Sequence, residues 1–562
     1  MIKKVIIIGL ISLVLCFLFL LGTEGVLRLA GYGESHRLFL EYPQASQPSY
    51  RINTAFYYQY FPAPVKASLE HTVEWGWSIP KRKDDDTYRI FVFGGSVAAG
   101  DSMDSAFNFS RVLECMLRDS FPKLHFEVYN LACPALNSHV MRAAAKEAAA
   151  LKPDFFVIYM GHNEYFPWAK QEMPPSAATI QWRMALKELR VFQVPGLLQA
   201  REAGIPDDIT DARLFFESAI KMYPDAPGRQ RLYQNFSDNL EAICRSGTQA
   251  GAEIVLSTLG ANLRDVPPFA SLHRPGLTEE ALRDWEAHFQ KGCEAVKPGT
   301  NTYDLDEACA SFERALAIDP DHAALNYHLA RCLLQRGDAD EALKYFSRAR
   351  DYDGFFIRAD SRINEIVRRS AADWSGRGVH LADTEAIFTA QSHNGIMGND
   401  FFYDNVHVLF EGYHRIALSI FNVLEQRIAE QQGVAPAKER LAVDTCKERL
   451  GLSPYLELIY MKDVLQQLGR YQTFAPQMDG AFMEKRISEV EAKLSDKAFE
   501  EALAALDKAL SWWGDDFQIR RVTAQLLMEA GRDAEAQAVM AQIMERYGDW
   551  PAAQNFKKLM DK

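Results

Sequence analysis

The sequence predicts an α/β protein: an open parallel sheet covered on both faces by helices, with helical repeats inserted into it and appended to it. Three observations carry this. Short apolar runs alternate with helical patterns from Tyr88 to Glu430, as parallel strands joined by crossover helices require. The gap between the fourth and fifth runs is far too long for a simple crossover and holds residues recurring at an offset of 34. Ser96 stands on a glycine turn straight after the first run, at the strand end where open α/β sheets carry their chemistry.

The elements follow in chain order. Residues Val5 to Gly22 carry no charge and are almost wholly apolar; as a helix these 18 residues span roughly 27 Å, close to a bilayer core. Lys3 and Lys4 precede the run, which favours a cytoplasmic N-terminus and leaves the rest of the chain on the extracytoplasmic, periplasmic side. A cleaved signal peptide is the rival reading, but the run is long for one and no small-x-small cleavage site follows it. Residues 1–33 therefore read as a transmembrane signal anchor. Residues 34–86 read as an aromatic-rich linker ending in the charged stretch Lys81 to Asp86.

Strands are expected at Arg89–Phe93, Phe126–Leu131, Phe155–Met160, Glu253–Thr258 and Val379–Asp383. Helices are expected at Phe109–Ser120, Val140–Leu151 and Phe410–Glu430, among others. The α/β domain is thus split into 87–169, 251–268 and 354–432. Between these lie a helical insertion at 170–250 and a repeat insertion at 269–353. A helical repeat domain at 433–562 closes the chain.

In the repeat insertion Ala308, Phe312 and Ala315 recur as Ala342, Phe346 and Ala349, each 34 residues on. Pro320 closes the first unit and Gly337 marks a turn in the next. Small residues at such spacing let antiparallel helices pack closely, and the pattern resembles the tetratricopeptide repeat. The C-terminal part repeats it more weakly. Ala502 and Leu506 recur as Ala536 and Met540, but Ala509 meets Ile543. Phe312 and Phe346 read as core residues of the repeats, and the Trp512-Trp513 pair as helix packing.

The 562 residues are enough for several domains, and 48% of them are hydrophobic, so sizeable cores can be buried. A formal net charge of −13 argues against a nucleic-acid partner, whose phosphates need a basic face. Eight cysteines are scattered without metal-ligand spacing, so no metal or cofactor is expected. Cys309 and Cys332 fall on helical segments, where small buried hydrophobes fit.

A serine hydroxyl is a weak nucleophile until a base takes its proton, and the base is commonly a histidine oriented by a carboxylate. Asp404 and His407 are three residues apart, a spacing that puts both side chains on one face of a helical turn. An oxyanion needs N–H donors, and Asn163 closes the third strand, expected beside the first. Four segments, Gly94-Gly95-Ser96, Asn130 to Asn137, Gly161-His162-Asn163-Glu164 and Asp404-Asn405-Val406-His407, together resemble the SGNH hydrolases, or GDSL esterases and lipases. That family's motifs are Gly-Asp-Ser after strand one, a glycine N–H donor, Gly-x-Asn-Asp and Asp-x-x-His. Here Gly95 replaces aspartate, Ala135 takes the glycine place and Glu164 replaces aspartate, while Asp404 and His407 match fully.

The resemblance implies a flavodoxin-like three-layer α/β/α fold and ester cleavage or transfer through an acyl-enzyme. It implies Ser96 as nucleophile, His407 as base and acid, and Asp404 as its orienting carboxylate. The Ser96 and Ala135 N–H groups and the Asn163 amide would form the oxyanion hole. Gly100-Asp101-Ser102 spells the family motif literally, but it follows no strand, so Ser96 is preferred. His162 suits a pocket lining and His414 a helix body better than the role of base. His139, His322 and His328 have no partner pattern and read as structural. Glu164 fits a capping carboxylate or a substrate contact equally well. Arg264 fits a surface ion pair better than a substrate anion.

The expected function is a membrane-anchored serine esterase, acting on an ester-bearing small molecule, lipid or glycan, with a protein partner on the repeats. Two alternatives share the sequence pattern. One is an O-acyltransferase acting on an envelope polysaccharide with the same three residues, since an acyl-enzyme can be resolved by water or by a sugar hydroxyl. The other is a repeat scaffold on an inactive hydrolase core.

Overall fold

The computed structural model describes residues 2–33, 35–43, 45, 47–61, 77–100, 103–194, 217–296, 304–435, 439–471, 480–548 and 550–560. The N-terminal helix runs from Ile2 to Leu29, and its Val5–Leu29 portion is long and apolar enough to cross a membrane, with a mean hydropathy of 3.1. After it, where the sequence predicts only a linker, β1 (Phe39–Tyr42), β2 (Ser49–Ile52) and β3 (Ser78–Pro80) form a small antiparallel sheet. Strands this short are below the length at which alternation registers. Phe39, Ile52 and Ile79 are buried against the main core.

That core is a parallel sheet of β4 (Thr87–Gly94), β5 (His125–Asn130), β6 (Phe155–Tyr159), β7 (Glu253–Ser257) and β8 (Val379–Ala382). The strands lie in the order β5-β4-β6-β7-β8, all parallel. Counted along the core this is second, first, third, fourth, fifth, the flavodoxin-like order. Ile90, Phe91, Val92, Phe93, Phe155, Phe156 and Val157 are fully buried, because helices cover both faces and leave no side for alternating polar residues. Helices Phe109–Ser120 and Phe410–Gln432 pack on one another; Ser138–Ala148 and Ser361–Trp374 both pack against Pro227–Gln249.

The helix Pro227–Gln249 corrects the boundary expected at 250. Gly247 in its last turn lies so close to Phe156 of β6 and Ile254 of β7 that a Cβ there would be 2.8 and 3.0 Å from them. It is the crossover from β6 to β7 and belongs to the core. What remains of the insertion among the described residues is mainly the helix Ala177–Lys187 and a turn at Arg190–Gln193.

The repeat insertion stacks Glu279–Ala295, Leu305–Ile318, Ala323–Arg336 and Ala339–Asp351. Ala308, Phe312, Ala315, Ala342, Phe346 and Ala349 are all buried at the helix contacts, and Gly337 makes its turn at φ +96°. The next helix, Ser361–Trp374, packs on β8, and the last repeat helix meets the turn His393–Gly395 of the core. Asp353 ties its stem: one carboxylate oxygen accepts from Ala270 N–H at 2.9 Å and Phe355 N–H at 3.1 Å, the other from Phe269 N–H at 2.9 Å and Arg358 at 3.2 Å. Gly354 N–H donates to Ala270 O at 2.8 Å beside it.

The C-terminal helices Ala498–Trp513, Phe517–Glu529 and Asp533–Tyr547 stack in turn. They lean on the core through Arg111, which pairs with Asp516 at 2.8 Å, and through Trp513, whose ring lies 4.0 Å from the Arg111 guanidinium and 4.4 Å from that of Arg118.

Candidate active site

The position of Ser96 is set by glycines. A Cβ on Gly94 would lie 2.3 Å from Tyr159 O and 2.4 Å from Ala98 Cβ, so only glycine lets β4 run beside β6 and turn at once into the next element. That element is the single turn Ser96–Ala99, ended by Gly100 at φ +95°. Asn130, at the tip of β5, donates from Nδ2 to Ala98 O at 2.7 Å and holds the turn.

Ser96 Oγ lies 2.7 Å from His407 Nε2, and His407 Nδ1 lies 2.6 Å from Asp404 Oδ2. With Nδ1 protonated toward the carboxylate, the lone pair of Nε2 accepts from the Ser96 hydroxyl. Asp404 is fixed in turn: Oδ1 accepts from Val406 N–H at 2.8 Å and His407 N–H at 2.6 Å. Tyr403 stacks on the imidazole at 5.8 Å between ring centroids. The loop is closed at its base by Leu409 N–H donating to Phe401 O at 2.8 Å.

Asn163 Nδ2 donates one hydrogen to Leu136 O at 3.0 Å, which leaves its second amide hydrogen for another acceptor. The same nitrogen lies 2.4 Å from where a Cβ on Gly95 would be, so it sits beside the backbone that leads into Ser96. Ala135 adopts φ +61°, the left-handed region that favours glycine. Among the described residues, neither Ser96 N–H nor Ala135 N–H is given to another acceptor.

Two buried neighbours complete the site. His162 Nδ1 accepts from Ala359 N–H at 3.0 Å, which puts its proton on Nε2, a buried donor without a partner. Burial, reinforced by the nearby His407, pulls its pKa down to about 3. It is a fixed neutral imidazole and no rival as base. Glu164 is a cap: it accepts from Ser138 N–H at 3.0 Å and Ser138 Oγ–H at 2.6 Å, at the start of the helix that follows Ala135. Burial pushes its carboxyl up to about 7.

The tetratricopeptide-repeat family matches residues 302–360 and 493–559, which are the stacked helices of the insertion and of the C-terminal domain. Both modules carry tetratricopeptide repeats. Among curated proteins no relative matches the chain. Similar solved structures include the following. A GDSL-like lipase from Bacteroides thetaiotaomicron is 8% identical, covers 62% of this chain and 93% of its own, and gives a TM-score of 0.28. An acetylxylan esterase from Geobacillus stearothermophilus is 10% identical, covers 63% and 97%, and scores 0.27. An α/β hydrolase from the metagenome of Lake Arreo, Spain, is 11% identical, covers 60% and 94%, and scores 0.26.

Other candidates lie elsewhere. Arg264 spends its guanidinium on Asp265 at 2.9 Å and Asp400 at 3.0 Å, which leaves it no role toward a substrate anion. His414 Nε2 bonds Leu441 O at 2.8 Å. His322 and His328 pack among Trp285, Phe289 and Phe312 of the inserted tetratricopeptide repeat. His139 is buried and bonded through Nδ1 to Asn239 at 2.9 Å. Asp101 and Ser102 lie outside the described residues. Sequence reasoning missed Tyr403 and Ala359. Tyr403 adjoins the Asp-x-x-His segment and could have been flagged; Ala359 acts only through its backbone and leaves no sequence signal.

Proposed function

We propose that the protein is a membrane-anchored serine esterase of the SGNH type, acting on a carboxylic ester outside the cytoplasmic membrane. One observation carries this: the continuous hydrogen-bonded line from Ser96 Oγ through His407 to Asp404 at the carboxyl ends of a parallel sheet. His407 Nε2 takes the Ser96 proton as Oγ attacks the ester carbonyl carbon. Negative charge gathers on the carbonyl oxygen beside the Ser96 and Ala135 N–H groups and the Asn163 amide, where each donor contributes about 3–4 kcal/mol to the transition state. The tetrahedral adduct collapses, the alcohol leaves with the proton from His407, and the acyl group stays on Ser96. Water, deprotonated by the same imidazole, releases the acid and restores the serine. The N-terminal helix holds the enzyme at the membrane, and the tetratricopeptide repeats give it a surface for a protein partner.

The test uses the full chain in detergent, a fluorophosphonate label and p-nitrophenyl acetate. Labelling and turnover should vanish in Ser96→Ala and persist in Ser102→Ala. A label that survives Ser96→Ala would remove the proposal.

A further inference from the structure

β5 is the outer strand of the parallel sheet and pairs only with β4. His125 N–H donates to Asp86 O at 3.0 Å and Leu131 N–H to Val92 O at 2.8 Å, one bond at each end of the ladder. In a parallel pair alternate residues face the neighbour, so the odd-numbered residues of β5 turn their N–H and C=O groups toward β4. Phe126, Val128 and Asn130 turn theirs outward. Among the described residues, none of these three N–H and three C=O groups has a hydrogen-bond partner. Natural sheets commonly cover such an edge. Here the cover is the C-terminal domain, and it stands off. A groove of about 1100 Å³ lies between, and Phe126, Val128 and Asn130 all line it. On one face of the sheet the groove is walled by Trp77, whose ring packs on Tyr129 at 5.2 Å between centroids. On the other face the wall is the helix Phe109–Ser120, where Ser110 Oγ accepts from Asn130 Nδ2 at 3.2 Å. The outer side belongs to the helices Phe517–Glu529 and Pro551–Met560, which present Met528 and Leu559, both 37% exposed. Every arginine lining the groove is paired with a carboxylate that also lines it, so no cation is left over for an anionic ligand.

We propose that this groove docks an extended peptide segment of a partner protein, which adds to the sheet as a further strand beside β5. Outward N–H and C=O pairs on alternate residues, about 7 Å apart, match the main chain of a β-strand along its length. Side chains of the added strand would lie by turns on the Trp77 side and on the helix side. Met528 and Leu559 favour apolar residues in it, since they would lose their exposure against it. The inference needs no esterase chemistry; it gives the partner proposed for the repeats a place and a binding mode, and to that extent rests on that reading. The groove also reaches the candidate site. Ala132 and Pro134, which line it, lead into Ala135, and Ala99 and Gly100, which line it too, end the turn that carries Ser96.

The experiment selects peptides from a random dodecapeptide display library on the full chain in detergent and measures their binding to wild type, Val128→Pro and Met528→Glu. Proline at 128 removes an outward N–H and no bond to β4, the one place in a sheet where it is tolerated. Melting temperatures check that both variants fold. The expected result is a set of enriched peptides that bind Val128→Pro about tenfold more weakly or worse, the value of a main-chain hydrogen bond. N-methylation of the same peptides reads the pairing without any change to the protein: it should abolish binding at alternate residues and spare it at those between. Peptides that bind Val128→Pro as well as wild type, are indifferent to the register of N-methylation and are lost in Met528→Glu overturn the pairing with β5 and leave a partner on the repeats standing. A library from which nothing is enriched, or only peptides indifferent to both variants, overturns the groove as a docking site.

Discussion

Asn163 fills the space that a side chain on Gly95 would need: its amide nitrogen lies 2.4 Å from the position of a Gly95 Cβ. The clash falls on the end of a side chain rather than on backbone, so Gly95→Ala should fold normally and push the amide away from Ser96. The expected loss in kcat is about 10²–10³-fold, the value of one oxyanion donor. Asn163→Ala should cost the same, and the double variant no more. A double variant far slower than either single one would show that Gly95 matters for another reason.

Ala135 at φ +61° stores backbone strain of about 1–2 kcal/mol. Ala135→Gly should relieve it, less about 0.5–1 kcal/mol of added unfolded-state entropy. A small gain in the urea midpoint with esterase activity kept is expected. Ala135→Val should destabilise, because a β-branched side chain tolerates this region least.

Glu164 gives the protein a pH-dependent stability. Its ordinary value is 4.5, and burial raises it to about 7 in the folded state. Between these, the unfolded chain gives up a proton that the folded chain keeps. The stabilising contribution is therefore complete below about pH 4.5 and is lost as pH rises toward 7, about 3 kcal/mol in all. In Glu164→Gln the decline in melting temperature across that window should flatten.

Arg229 is fully buried, donating to Asp360 at 2.7 Å, to Tyr233 Oη at 2.7 Å, and to the carbonyls of Asp351 at 2.9 Å and Asp353 at 3.0 Å. Arg229→Met would leave the Asp360 carboxylate uncompensated and should cost about 3–5 kcal/mol. Arg229→Met with Asp360→Leu should recover much of that, read as the urea midpoint.

The five core strands were legible because each is an apolar run with a turn signal at its end. Ser96, Asn163, Asp404 and His407 were legible because each closes or follows such a run or lies in a recognisable spacing. The structure brings these four together across the tips of β4 and β6 and the loop before Phe410. Three things were not legible. The strands at Phe39, Ser49 and Ser78 are too short to show a period. The helix Pro227–Gln249 is amphipathic whether it caps a sheet or an insertion, and only Gly247 against Phe156 decides between them. The partner of His162 is a backbone N–H, 197 residues away.

The clasp at Asp353 makes the inserted repeats a cassette. Their stem opens and closes within one hydrogen bond, Gly354 N–H to Ala270 O. A graft of different length at that point adds little closure cost, because that cost grows only with the logarithm of loop length. The inserted repeats can thus change while Ser96 and the loops around it stay as they are, so the two parts of the chain are free to diverge on separate schedules.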